Sequence, residues 1–148
     1  MDPLKLNELY VADGLIYGVQ VDTMAQSATL TIQIDTNFNR GVCEKAGVEA
    51  SGVVLLDFLF SGVTSAAIEG MLPRRTRTAH DEPPHSYEIA SWKVNQQRLQ
   101  NAYRLRVHTH WGPRCSISFN GVSVSKSSRS PGVVHDYKAE AAGKTARE

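Results

Sequence analysis

The stretch Tyr103–Asn120, "YRLRVHTHWGPRCSISFN", decides how the chain is read. Its first half alternates strictly. Tyr103, Leu105, Val107, Thr109 and Trp111 fall on one side of an extended chain, and Arg104, Arg106, His108 and His110 on the other. Its second half sorts the same way, with Cys115, Ile117 and Phe119 against Ser116, Ser118 and Asn120. Joined through Gly112, Pro113 and Arg114, the halves form a hairpin. Trp111 is expected opposite Cys115, Thr109 opposite Ile117, and Val107 opposite Phe119. A two-residue loop would set Val107 against Ser118 and mix the faces, so it is rejected. The apolar set, Trp111 included, is expected in the core. The polar stripe Arg104, Arg106, His108 and His110 is expected to face outward.

The same period of two recurs upstream. In "GLIYGVQVD", Leu15, Tyr17, Val19 and Val21 share a face; in "SATLTIQIDT", Leu30, Ile32 and Ile34 do. With Met24, Ala25, Gln26 and Ser27 as the loop, Val21 is expected opposite Leu30, Val19 opposite Ile32, and Tyr17 opposite Ile34. "GVVLLDFLF" is apolar on both faces, which predicts a central strand covered on both sides. Asp57 interrupts it and is expected to cap a bend or pair with an arginine. "NFNRGVCEKAGVEASG" reads as loop with a helical turn, "IASWKV" as a short strand, and "NQQRLQNA" as a connecting turn of helix. The predicted fold is mainly β, an antiparallel β-sandwich or strongly curved sheet with little helix. Residues 1–124 are expected to form a single β domain. Residues 125–148, rich in Ser, Lys, Gly and Ala, are expected to be a flexible tail.

Bulk properties exclude more than they select. The chain has 148 residues, with 41% hydrophobic, 21% charged and a formal net charge of +1. That suits one globular domain and predicts no highly charged partner from the overall balance. No basic region precedes an apolar run at the N-terminus, and no apolar segment reaches the ~20 residues of a membrane span. A cytoplasmic protein without membrane association is expected. Cys43 and Cys115 form no CxxC pair and read as free buried thiols.

His108 and His110 have the HxH spacing of paired metal ligands. A zinc site needs three or four ligands, and two neighbouring arginines oppose a cation. A third ligand would have to come from His80, His85, His135 or an acid elsewhere. The hairpin is therefore read as a solvated or partner-facing surface, with neither metal nor cofactor. A metal-dependent small-molecule enzyme using His108 and His110 stands as the alternative. No GxSxG, P-loop, GxGxxG or HExxH occurs, so no catalytic residue is assigned. "MLPRRTRTAHDEPPHSYE" holds three prolines and a basic cluster, Arg74, Arg75 and Arg77, and reads as an exposed loop. Nucleic-acid binding is disfavoured because the predicted polar face exposes no aromatic ring for stacking. It remains a further alternative.

Four features occur in order: "ADGLIYGVQVD", the alternating strand "ATLTIQID", an apolar strand ending in "FSGV", and a closing hairpin ending in "CSISFNGVSV". This order resembles small bacterial β-sandwich domains, among them immunity proteins that neutralise polymorphic or contact-dependent toxins. The resemblance covers about residues 10–124. Where that family opens with His-Asp-Gly, this chain has Ala12-Asp13-Gly14. The resemblance implies a non-enzymatic protein that occludes a toxin's active site or substrate groove. It carries over no catalytic residues. The partner-binding candidates are Arg104, Arg106, His108 and His110 on the hairpin, with Arg74, Arg75 and Arg77 in the 73–86 loop.

Overall fold

A computed structural model describes residues 1–49, 51–70, 87–98 and 101–128. Within them the chain forms eight strands: β1 (Leu15–Asp22), β2 (Ser27–Asp35), β3 (Val53–Ser61), β4 (Ser65–Glu69), β5 (Ile89–Gln97), β6 (Ala102–Thr109), β7 (Arg114–Phe119) and β8 (Gly121–Lys126). They make two antiparallel four-stranded sheets. Sheet A has the order β1-β2-β3-β8 and sheet B the order β4-β7-β6-β5. Helices among the described residues include 3-10 turns at Pro3–Glu8 and Thr36–Phe38 and one short α-helix, α1 (Arg40–Lys45).

The two sheets share one core. Leu30, Ile32 and Ile34 of β2 and Leu56, Phe58 and Phe60 of β3 are fully buried, as are Leu105, Val107, Ile117 and Phe119 from sheet B. Aromatic rings join the layers. Phe60 meets Phe119 edge-on with centroids 4.7 Å apart, and Phe58 meets Trp92 at 5.9 Å. Such pairs add about 1 kcal/mol each beyond the area they bury. Cys115 and Cys43 are both buried free thiols.

The β1–β2 hairpin forms with its partners displaced. Val21 meets Ala28 and Val19 meets Leu30, two residues short of the expected pairing. Asp22 explains the shift: its carboxylate accepts from the backbone N–H groups of Met24 and Ala25, each at 3.0 Å. This Asx turn places Asp22 at the loop entrance. Further along, a bulge between Ile16 and Gly18 reverses the alternation. Ile16 pairs with Ile32 and packs on the core. Tyr17 does not face Ile34; its hydroxyl donates to Gln33 Oε1 on the outer face, at 3.3 Å.

Strand β3 is central, between β2 and β8, but is not covered on both sides. Leu55 is buried on its outer face, whereas Val53 is 47% and Leu59 46% exposed. An antiparallel sheet can leave one face to water, and this one does. Asp57 does not cap a bend and meets no arginine among the described residues: it sits mid-strand and accepts a hydrogen bond from the Thr31 hydroxyl on the adjoining strand. Residues 95–97 extend β5 rather than forming a helical turn, with Gln97 still paired to Ala102.

The N-terminal turn fastens the edge of sheet B. Asp2 caps it by accepting from Leu4 N–H, and Pro3 occupies its first position, where no donor is needed. Leu6 is fully buried, and its carbonyl accepts from Trp92 Nε1 at 2.9 Å. The Asn7 side chain bonds both the N–H and the C=O of Val94, as a neighbouring strand would. Gly14 ties the sheets together, its carbonyl accepting from Ile89 N–H at 2.8 Å. A Cβ there would lie 2.8 Å from Val11 O and 2.9 Å from Gln33 O, so only glycine fits.

At the other terminus, β8 runs to Lys126, and Ser127 N–H bonds Leu55 O at 3.0 Å. Most of the expected tail, residues 129–148, lies outside the described residues, as does the 73–86 loop up to residue 86.

Candidate functional site: the outer face of sheet B

The β6–β7 hairpin has the predicted faces and a different register. Val107 pairs with Cys115, Leu105 with Ile117 and Tyr103 with Phe119; the last ladder pair is His108 with Arg114. Residues 109–113 therefore form the connection. Thr109 closes it: its N–H and hydroxyl both donate to Pro113 O, at 3.3 and 2.9 Å, and its Oγ1 accepts from Gly112 N–H at 3.0 Å. This register sets the Tyr103 ring 5.9 Å from that of Phe119. It also corrects the expectation for Trp111, which stands at the loop tip and is 77% exposed.

Register places the polar stripe within a four-strand surface. On the outer face, Lys93, Arg106, Ser116 and Ala67 make one cross-strand row; Asn95, Arg104, Ser118 and Ser65 make the next; Ser91, His108, Arg114 and Glu69 make the third. Neighbouring strands stand about 4.8 Å apart, and alternate residues on one strand about 6.7 Å. Lys93, Arg104, Arg106 and Arg114 are thus four cations rooted in a compact block, with Glu69 the sole carboxylate in these rows. These are four of the chain's 16 Lys and Arg residues, in a chain of net charge +1.

Arg104 is held in place. Its Nε donates to Ser118 Oγ at 3.1 Å, and Gln97, with its amide oxygen turned toward the guanidinium, accepts from Nε and Nη2 at 3.1 Å each. Arg106 and His108 are exposed. The one ion pair between described residues is Lys5–Glu8, in the N-terminal turn. Among the described residues no carboxylate pairs with the cations of sheet B, and Lys93, Arg106 and Arg114 are exposed.

His110 belongs to the tip rather than to the strand surface. Its N–H donates to Glu88 O at 3.1 Å, and its ring lies 6.1 Å from that of Trp111. Gly70, at φ +73°, lies against the tip, where an added Cβ would sit 3.1 Å from Gly112 O. Among the described residues, no group of three His, Cys, Asp or Glu side chains converges around these histidines or elsewhere. His80, His85 and His135, with Arg74, Arg75 and Arg77, lie outside the described residues.

Both thiols are protected. Burial pushes Cys43 up from its ordinary value, and pushes Cys115 from 9.0 up to about 11. A protonated, enclosed thiol is a poor nucleophile.

Sequence reasoning missed Lys93 and Arg114, because membership of this face depends on which strands lie beside β6. It missed Trp111 as a surface residue because strand alternation was carried through a loop. The "GP" dipeptide immediately after Trp111 was the available signal.

The molecule is an antiparallel β-sandwich with a basic outer face and an exposed tryptophan at its rim. No family model matches the chain, and none of the curated proteins matches it. Among the described residues, no helix is long and apolar enough to cross a membrane.

Proposed function

We propose that this is a non-enzymatic cytoplasmic binding protein whose outer face of sheet B docks an acidic surface of a protein partner. The observation that carries this reading is the block of Lys93, Arg104, Arg106 and Arg114, which among the described residues shares its rows with a single carboxylate, Glu69, and is bordered by exposed Trp111. Arginine and tryptophan are the side chains that contribute most at protein interfaces. A hydrogen-bonded sheet holds the backbone of the basic residues in place, so docking orders little new backbone there. Complementary charge speeds encounter and sets orientation. The resemblance in strand order supports a particular form of this reading: an immunity protein that neutralises a bacterial toxin by covering its active site. Arg104, Arg106, His108 and His110 would contact the toxin, as would Arg74, Arg75 and Arg77.

The test is co-expression with a toxin encoded immediately upstream. The parent protein is expected to rescue growth. An Arg104→Glu/Arg106→Glu variant, shown by circular dichroism to be folded, is expected to lose rescue. Undiminished rescue by that variant would remove sheet B from the mechanism.

A second reading has its own observation. Exposed Trp111 beside the cationic block is a stacking ring next to a phosphate-attracting surface, a combination suited to single-stranded nucleic acid. Salt-sensitive RNA retention that Trp111→Ala abolishes would favour it over the protein partner.

A further inference from the structure

The four edge strands are not equally protected. β5 is plugged by the Asn7 side chain at Val94 and by Gly14 at Ile89. β1 carries a bulge and ends in Asp22, and β8 ends in Lys126 against α1. Among the described residues, β4 has none of these devices. It contains no lysine, arginine, proline or bulge, and four of its five residues are exposed. Bare edges of this kind pair with other strands unless something prevents it.

The direction of the free backbone groups follows from the ladder. Thr109 N–H donates to Pro113 O at 3.3 Å, which fixes the alternation so that Cys115, Ile117 and Phe119 direct their N–H and C=O toward β6. Arg114, Ser116 and Ser118 then direct theirs toward β4; Ser118 O accepts from Thr64 N–H there at 3.0 Å. Their partners Glu69, Ala67 and Ser65 are spent on that ladder, leaving the N–H and C=O of Ala66 and Ile68 aimed outward.

The sequence of β4, Ser-Ala-Ala-Ile-Glu, suits one occupant in particular. We propose that β4 pairs antiparallel with β4 of a second copy of this chain, about a two-fold axis at Ala67. Ala66 and Ile68 of each copy exchange the hydrogen bonds, closing four in all. Ile68, 37% exposed in the single chain, is covered over Ala66 of the other copy on the core-facing side. Ser65 lies opposite Glu69 on the outer side, a hydroxyl donor against a carboxylate. The two alanines on the axis form the closely spaced pair, with Cα atoms about 4.5 Å apart, where small side chains fit. The two sheets B merge into one of eight strands, and the two basic faces become one symmetric surface. This inference does not depend on the identity of any other partner.

Sedimentation velocity on the full chain up to about 100 µM tests it, a range suited to a small interface. The expected result is a concentration-dependent, twofold increase in mass. Ala66→Pro removes a donor that the internal ladder does not use and should leave only monomer. Ala67→Cys should be trapped by mild oxidation as a disulfide-linked dimer, while the parent, whose two thiols are buried, should not cross-link. A parent that stays monomeric throughout overturns the proposal. So does a dimer that persists in Ala66→Pro, or one in which Ala67→Cys fails to cross-link, since either would use another surface.

Discussion

The outer faces of the two sheets are built from the same alternating pattern and do different things. On sheet A, Thr31 is buried and its hydroxyl is committed to Asp57, while Gln33 is buried and accepts from Tyr17. Polar groups there complete one another across strands. On sheet B, Arg104 is held by Ser118 and Gln97, but Lys93, Arg106 and Arg114 sit in register with no described carboxylate bonded to them. A face whose polar groups are satisfied internally supports the fold; a face whose charges are left to solvent is available for another molecule. Both interpretations follow from counting where each polar atom goes.

The largest effect should come from beneath both faces. Phe119→Ala removes a fully buried ring packed on Phe60 and Tyr103, and should lower unfolding free energy by about 3–5 kcal/mol in urea titration. A loss below about 1 kcal/mol would mean that the layers do not share the core described.

Next is an alkaline effect belonging to the inner side of sheet B. The Cys115 thiol holds its proton up to about pH 11 in the folded chain, against 9.0 ordinarily. Between those values the unfolded chain releases the proton and the folded chain keeps it. Stability that is intact below pH 9 therefore declines as pH rises toward 11, by an amount on the order of 3 kcal/mol. Cys115→Ala should be less stable than the parent at pH 7, and the gap should narrow above pH 9. A gap constant with pH would place that thiol in contact with water.

The smallest effects address the two outer faces directly. Thr31→Val leaves Asp57 without its donor and should cost about 1 kcal/mol. Arg106→Ala, which breaks no described contact, should fall within about 0.5 kcal/mol of the parent in the same titration. Equal costs at the two positions would erase the distinction between the faces.

Much of this architecture is legible in the residues. Alternation at Leu30–Ile34, Tyr103–Val107 and Cys115–Phe119 reports which side of each strand faces the core, because burial selects apolar side chains at every second position. It also restricts the parity of a hairpin loop. The β6–β7 loop was expected with three residues and has five, and both odd lengths preserve the faces while partners slide by two. Which length prevails depends on contacts the pattern does not encode, here Thr109 closing on Pro113 and Tyr103 packing on Phe119. The Asp22 turn and the bulge near Tyr17 displaced the first hairpin for the same kind of local reason.

What the chain determined by itself is therefore the fold class, the two faces of its main strands, and the outward stripe of Arg104, Arg106 and His108. Period-two burial is a local property, readable along one strand. Only the tertiary structure decided that Lys93 and Arg114 join that stripe, that Trp111 stands in water, that Asn7 plugs one edge and that no described residue plugs the edge at β4. Each of these depends on which strand lies beside which. Neighbours in a sheet are chosen by packing and loop closure between residues far apart in sequence.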